Sequence, residues 1–447
     1  MSEPIDGLFM TPEMAAVFSA EAHVQQLLAF EAALARAEAC AGVIPQAAAD
    51  AITAGCRVEH FDVPALYREA VPAGTPAIPL VRMLTERVGE EARKFVHWGA
   101  TSQDAIDTAL VLQMREGLDL LVARLLGVCA GCAALAAQHR HTPMAGRTLL
   151  QQALPITFGL KAARWLALAT RQLRALRVQR ASSLALQLGG AAGTLAALGD
   201  AGLRVAELLA EDLELALPEL PWHAERDRVA TIAAALGVSA GAMAKIAGDI
   251  VLLAQTEVAE VSEAAAPGKG GSSAMPQKRN PVDAMEALAA ARLAVGVVPV
   301  VLSAMAHEHE RGVGGWQAEW VAIPNLFRYT AGAIERVHSA VSGLLVDPDR
   351  MRANLDLGGG LLMAESLTTA LAPQVGRPAA QRMVQAACGR ALAAGSTLGQ
   401  AARVDVEIRV LLSEDAIDRA LDPAGYLGST DALIDRALAA YHVENGD

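Results

Sequence analysis

Between Thr101 and Gln138 apolar residues recur at intervals of three and four, at Ile106, Leu110, Met114, Leu118, Leu121 and Leu125, over several uninterrupted turns. Thr101, Ser102 and Asp104 supply the start signal, because a side-chain oxygen there can accept amide protons that the first helical turn leaves unpaired. At a rise of 1.5 Å per residue the segment predicts a helix of roughly 50 Å, longer than one small domain needs. A helix of that length calls for other long helices beside it, and the pattern predicts a bundle shared between copies of the chain.

The remaining sequence agrees with an all-α chain. Aromatic residues are 4% of it, alanine and leucine are abundant, and β-branched runs are few, which suits packed helices rather than sheets. Helices are predicted up to about Cys40, over 46–54, 64–71 and 78–88, over 155–181 with Pro155 in its first turn, over 226–236 and 239–264, over 283–307, 324–345, and about 430–441. A chain of 447 residues exceeds one ordinary core. Three domains are expected: 1–104, then 105–357 around the central long-helix bundle, then 358–447 from the glycine triplet Gly358 to Gly360 onward.

A formal charge of −12 with no basic stripe argues against a nucleic-acid partner. The longest uncharged runs, Ser182 to Gly199 and Leu293 to Ala306, are broken by Gly or Pro, which predicts buried helices and no membrane span. Five cysteines without disulfide-like spacing, and an N-terminus carrying acids where a secretory signal needs bases, predict a cytoplasmic protein. Cys129 and Cys132 form a C-x-x-C with no second pair and no histidine cluster, and read as two small buried residues on a helix face. No spacing suits a metal, and no cofactor is expected.

One stretch breaks the helical pattern in a way that points to chemistry. Pro267 to Pro281 reads Pro-Gly-Lys-Gly-Gly-Ser-Ser-Ala-Met-Pro-Gln-Lys-Arg-Asn-Pro, with helical sequence on both sides. Its glycines free the backbone, Ser272 and Ser273 offer hydroxyls, and Lys278, Arg279 and Asn280 supply donors suited to a carboxylate. The pattern predicts a mobile lid over an anionic substrate. A phosphate-binding loop is excluded, since Gly268-Lys269 is followed by Gly270 and the place of the leading glycine holds Glu263.

Gly271 to Pro281 resembles the signature loop of the fumarase/aspartase superfamily, Gly-Ser-Ser-x-Met-Pro-x-Lys-x-Asn-Pro. The resemblance implies that Ser272 is the base acting on a carbon-bound proton and that Lys278 and Asn280 hold a substrate carboxylate. His97-Trp-Gly-Ala-Thr-Ser-Gln-Asp104 resembles a second superfamily segment, which implies substrate binding by Thr101 and Ser102 and an acid–base role for His97. Gly146-Arg-Thr-Leu-Leu-Gln-Gln-Ala-Leu-Pro155 resembles a third, implying substrate contacts from Arg147, Thr148 and Gln151. The resemblance also implies that the three regions meet only between subunits, so that a homotetramer is expected.

The third segment departs from the superfamily pattern at one position. The family histidine that helps protonate the leaving group is Leu149 here, although the glutamate expected to act with it remains as Glu286. Hydroxide and amines must be protonated as they leave, whereas a carboxylate, with a solution pKa of about 4, leaves unaided. Adding a carboxylate to a double bond within one molecule makes a lactone. His309 to Trp320, containing Arg311 as a weaker substrate-contact candidate, and Leu421 to Gly428 resemble the bacterial 3-carboxy-cis,cis-muconate cycloisomerases. That likeness implies a small tricarboxylate substrate, interconversion of 3-carboxy-cis,cis-muconate with 4-carboxymuconolactone, and a place in protocatechuate catabolism. The alternatives are an adenylosuccinate lyase-like enzyme releasing fumarate and an inactive homologue. Against the first, Leu8-Phe9 and Gly314 to Gln317 stand where adenylosuccinate lyases carry nucleotide-binding residues.

Overall fold

The computed structural model describes residues 4–446 and is dominated by helices, in line with the expected all-α class. The apolar stripe forms one helix of 37 residues, Ser102–Gln138. Ile106, Leu110, Met114, Leu118, Leu121 and Leu125 are all buried, as are Cys129 and Cys132. Asp104 closes the first turn by accepting the Thr101 amide at 2.9 Å, the reciprocal half of a capping box.

The chain divides into two compact units, one drawn from Met1–Leu125, Gln172–Ala244 and Glu286–Glu335, the other from Leu126–Arg171, Lys245–Met285 and Arg336–Asp447. In the first, the helix Ala20–Cys40 buries Val24, Leu27, Leu28, Phe30 and Leu34, and packs against Gln46–Gly55 and Gly202–Asp212. Under the start of the long helix lies a buried ion network. Arg226 spans two carboxylates, reaching Asp107 at 2.8 and 3.1 Å and Glu319 at 2.5 and 3.1 Å. Asp107 also accepts from Trp316 Nε1 at 2.9 Å and Gln103 Nε2 at 3.0 Å. Burial opposes the charge of Arg226, but the two carboxylates outweigh it and raise the guanidinium pKa. Burial raises the pKa of Glu319 even though Arg226 pulls it down.

The second unit contains an antiparallel hairpin, Pro143–Thr148 with Gln151–Thr157, and a short pair, Val261–Glu263 with Leu344–Val346. Its C-terminal helices enclose a core that includes Leu367, Leu371, Val384, Leu398, Ile408 and Ile417.

Several helix boundaries differ from expectation. Pro155 lies in the hairpin, paired with Ala145 beside a bulge, and the helix starts only at Phe158. A proline is tolerated where the ladder is already irregular, and Gly146 is required there because a Cβ would come within 2.7 Å of the Leu154 carbonyl oxygen. The segments 226–236 and 239–264 give one helix that ends early, Asp227–Leu253, and the expected helical tail is instead a turn and the strand Val261–Glu263 paired with Leu344–Val346. Gly237 does not break the helix, because it allows close approach to Val298, whose Cγ2 would lie 2.5 Å from an added Cβ. The helix expected from Pro324 begins instead at Gly315. Its early turns are fixed by the edge-to-face pair of Trp316 and Trp320, with centroids 4.8 Å apart, and by the Trp316 bond to Asp107.

Candidate active site

Four of the expected site residues, His97, Thr101, Ser102 and Arg311, fall in the first unit around the start of the long helix. Ser102 is that helix's first residue, so free backbone amides and the positive end of the helix dipole accompany its hydroxyl. Asp104 holds this corner together. It accepts from the amides of Gly189 and Gly190 at 2.9 Å each and from His223 Nε2 at 2.7 Å, beside its bond to Thr101. Gly99 has φ +71°, and an added Cβ would lie 2.6 Å from Leu198. Arg311 joins the corner by donating from Nε to Gln103 Oε1 at 2.9 Å and from Nη2 to the Ala191 carbonyl at 3.2 Å. A cleft of about 730 Å³ in the same unit, lined in part by His23, Tyr67, Ile106, Trp320 and Arg328, contains none of these four residues.

His97 sits in left-handed backbone, φ 58°, and donates from Nδ1 to the buried Glu31 carboxylate at 2.6 Å. Burial opposes the imidazolium, but the field and hydrogen bond of Glu31, with a contribution from Asp104, outweigh it and raise the His97 pKa. Two turns along the same helix, Glu38 is fully buried, and neither carboxylate oxygen has a hydrogen-bond partner among the described residues. Burial and then Glu31 push its pKa up to about 9, so it carries a proton at neutral pH.

This gives a pH dependence of stability. The unfolded chain releases the Glu38 proton near its ordinary carboxylate value while the folded chain retains it, so stability falls as pH rises from there toward 9. At about 1.4 kcal/mol per pH unit, the cost at pH 7 is roughly 3 kcal/mol. Glu38→Gln is expected to melt higher than the wild type at pH 8 and close to it at pH 4.5. Equal melting differences at both pH values would contradict a neutral Glu38.

The second unit holds the signature loop and the hairpin. The loop has a pinned neck. Asn280 donates its backbone amide at 2.9 Å and its side-chain Nδ2 at 3.3 Å to the Gly270 carbonyl. Lys269 binds Asp283 at 2.5 Å and Glu263 at 3.3 Å, while Glu263 accepts the amides of Asp283 and Ala284 at the start of the helix Val282–Ser303. Beyond the neck, Ser273 to Arg279 are exposed. Ser272 Oγ accepts two backbone N–H groups, from Met275 at 3.1 Å and Ala274 at 3.3 Å. Two donors on a hydroxyl oxygen favour negative charge there, the property a serine base requires.

On the hairpin, Arg147 is committed to Glu260 through two bonds of 2.7 and 2.8 Å, and Asn354 Nδ2 donates to the same carboxylate at 2.9 Å. Thr148 and Gln151 face each other at the exposed tip. Between them Leu149 and Leu150 have φ of 50° and 64°, a turn that normally takes Asn or Gly, and are 97% and 70% exposed.

Comparison with known proteins gives the family. Residues 9–296 match the lyase family model, and residues 360–437 match the adenylosuccinate lyase C-terminus. The chain belongs to the fumarase/aspartase superfamily. It is 48% identical over 444 residues to 3-carboxy-cis,cis-muconate cycloisomerase of Pseudomonas aeruginosa, covering 98% of this chain and 96% of that one. The Bradyrhizobium diazoefficiens protein of the same name is 49% identical over 418 residues, 93% of each. Among solved structures, the 3-carboxy-cis,cis-muconate lactonizing enzyme of Pseudomonas putida superposes with a TM-score of 0.94 at 42% identity, covering 99% of both chains.

In this superfamily member the candidate residues named by motif depend on buried partners, of which sequence reasoning named Asp104, as part of the helix start, and left Glu31 and Glu260 unmarked. Glu31, Asp104, Glu260 and Lys269 hold His97, the helix start, Arg147 and the loop neck respectively. Asp104 carries a local signal as part of the helix start, and Lys269 carries one as a lysine between Gly268 and Gly270, both at positive φ.

Proposed function

We infer that the chain interconverts 3-carboxy-cis,cis-muconate and 4-carboxymuconolactone, as a cycloisomerase of aromatic catabolism. The observation that carries this is likeness along nearly the whole chain to relatives bearing that name. Leu149 gives it a chemical reason, since an apolar hairpin tip cannot protonate a leaving group and a carboxylate needs no such help.

In lactone formation one substrate carboxylate attacks C4, charge develops on the conjugated carboxylate, and the adjacent carbon takes a proton. Ser272 gives that proton in this direction and removes it in the other. Lys278 and Asn280 of one copy of the chain, with Thr101 and Ser102 of another, meet the developing charge, and His97 is an imidazolium donor. Arg147, through Glu260, stiffens the hairpin that presents Thr148 and Gln151.

The active form we propose is a cytoplasmic homotetramer. Met285, Leu293, Val295, Val300 and Leu302 are exposed on the helix Val282–Ser303, as is Leu149 on the hairpin, and these apolar side chains favour burial against further copies. The helices Ser102–Gln138, Asp227–Leu253 and Val282–Ser303 are long and apolar enough to cross a membrane by length and composition alone. Membership of a superfamily built on shared helix bundles favours protein as their neighbour.

Lactonisation destroys a conjugated diene, so ultraviolet absorbance of the purified protein with 3-carboxy-cis,cis-muconate tests the reaction directly. Rapid loss of the diene signal is expected. A persistent signal overturns the reading; fumarate release from adenylosuccinate then identifies a C–N lyase, and inactivity on both substrates an inactive homologue.

A further inference from the structure

The superfamily's histidine–glutamate pair is broken at Leu149, yet the fold builds another carboxylate–imidazole pair 66 residues apart in sequence. We propose that Glu31 is a positioning residue for the reaction: its carboxylate accepts the hydrogen bond from His97 Nδ1–H and thereby fixes the ring with Nε2 turned to the substrate. The proposal rests on the acid–base reading of His97.

Three observations support it. Glu31 is 2% exposed, so its ionised form needs a cationic or hydrogen-bonding partner, and the 2.6 Å contact with His97 is the bond that Oε1 makes. Its Oε2 has no hydrogen-bond partner among the described residues, which leaves the imidazole as the group that balances this carboxylate. The His97 side chain is 15% exposed and its backbone is held at φ 58°, a left-handed conformation that is unfavourable for a non-glycine residue. Strain kept at one residue whose ring is locked by a buried partner marks an orientation the fold maintains.

The consequence is a defined tautomer and a charge retained toward higher pH. With Nδ1–H given to Glu31, Nε2 is the nitrogen left for a substrate, and in the protonated ring it carries the second N–H. The other groups that act here are Asp104 on the long helix, which also raises the His97 pKa, and Glu38, which shares the helix of Glu31. Cys56 and Arg36 lie within the field of this cluster. Asp104 is saturated by four donors and Glu38 carries a proton, so Glu31 is the charge that dominates His97.

The test is Glu31→Gln, which keeps shape and an acceptor oxygen but removes the charge, followed by nitrogen-15 NMR of His97 and by diene absorbance across pH. In the wild type the His97 ring should be protonated on Nδ1 when neutral. In the variant its pKa should fall, and kcat should drop about tenfold or more at pH 8 but only about threefold or less at pH 5.5, with KM little changed. Adding Glu31→Gln to His97→Asn should cost nothing further. An unmoved His97 titration, a loss equal at both pH values, or an additive loss in the double variant overturns the proposal. Full activity of His97→Asn alone would refute the acid–base reading of His97, while the NMR arm still decides whether Glu31 sets the tautomer.

Discussion

Ser272→Ala is expected to slow diene loss by about 10³-fold or more while leaving the melting temperature within about 1 °C of wild type, the scale on which removal of a positioned acid–base group acts. The two halves of this expectation have separate causes. Carbon next to a carboxylate is a weak acid, so the reaction needs an oxygen that can carry negative charge at the moment of proton transfer. Ser272 Oγ has that environment in the two amide donors from Ala274 and Met275. Its loop, in contrast, contributes little to the fold beyond the neck, since Ser273 to Arg279 are exposed. Stability is held lower down, by Lys269 on Asp283 and Glu263 and by Asn280 on Gly270. Ser273→Ala, at the neighbouring exposed hydroxyl, is expected to change the rate by about threefold or less. Retention of more than a tenth of wild-type activity by Ser272→Ala, or a larger loss from Ser273→Ala, would move the proton-handling role away from Ser272.

What the sequence discloses about this protein follows the range of the interactions involved. The long helix is legible because its apolar spacing and its Thr101 start signal are both local, and a period of three and four survives whatever packs against it. The candidate site residues of the loop are legible for a related reason: Ser272, Lys278 and Asn280 sit in one continuous stretch whose order carries the resemblance. Long-range contacts decide the rest. Gly237 reads locally as a helix break but serves as the gap into which Val298 packs, so two expected helices become one. Pro155 reads as a first-turn residue, whereas the pairing of Ala145 with it claims it for a strand. Glu31 and Glu260 are unremarkable acids in their own segments and acquire meaning only from His97 and Arg147, 66 and 113 residues away. Each of these is a buried group whose partner the fold chooses.

Arg226 is the strongest case of such a group, and its removal should be the most destabilising single change in the first unit. Arg226→Met is expected to cost about 3–5 kcal/mol, the range for breaking a buried ion pair by deleting one side, and to abolish activity at 37 °C. The cost arises less from lost attraction than from what remains: Asp107 and Glu319, both almost inaccessible to water, would face each other without the guanidinium that joins them. A second consequence is pH dependence. Burial already raises the Glu319 pKa in the presence of Arg226, so the folded chain holds that proton more tightly than the unfolded chain does. Its contribution to stability therefore diminishes as pH rises through the ordinary carboxylate range. Without Arg226 the downward pull on that pKa is gone, and the deficit of the variant should deepen between pH 4 and pH 8. Chemical denaturation of wild type and Arg226→Met at those two pH values measures both effects. Glu319→Gln in the Arg226→Met background should recover part of the loss at pH 8 and little at pH 4, because it removes a charge that acid would neutralise anyway. The candidate site should respond in step, since Gln103 bridges this network to Arg311, donating to Asp107 while accepting from the Arg311 guanidinium. A variant that melts like wild type at both pH values would show that Asp107 and Glu319 find other donors, among which Trp316, Gln103 and Gln187 are already in place on Asp107.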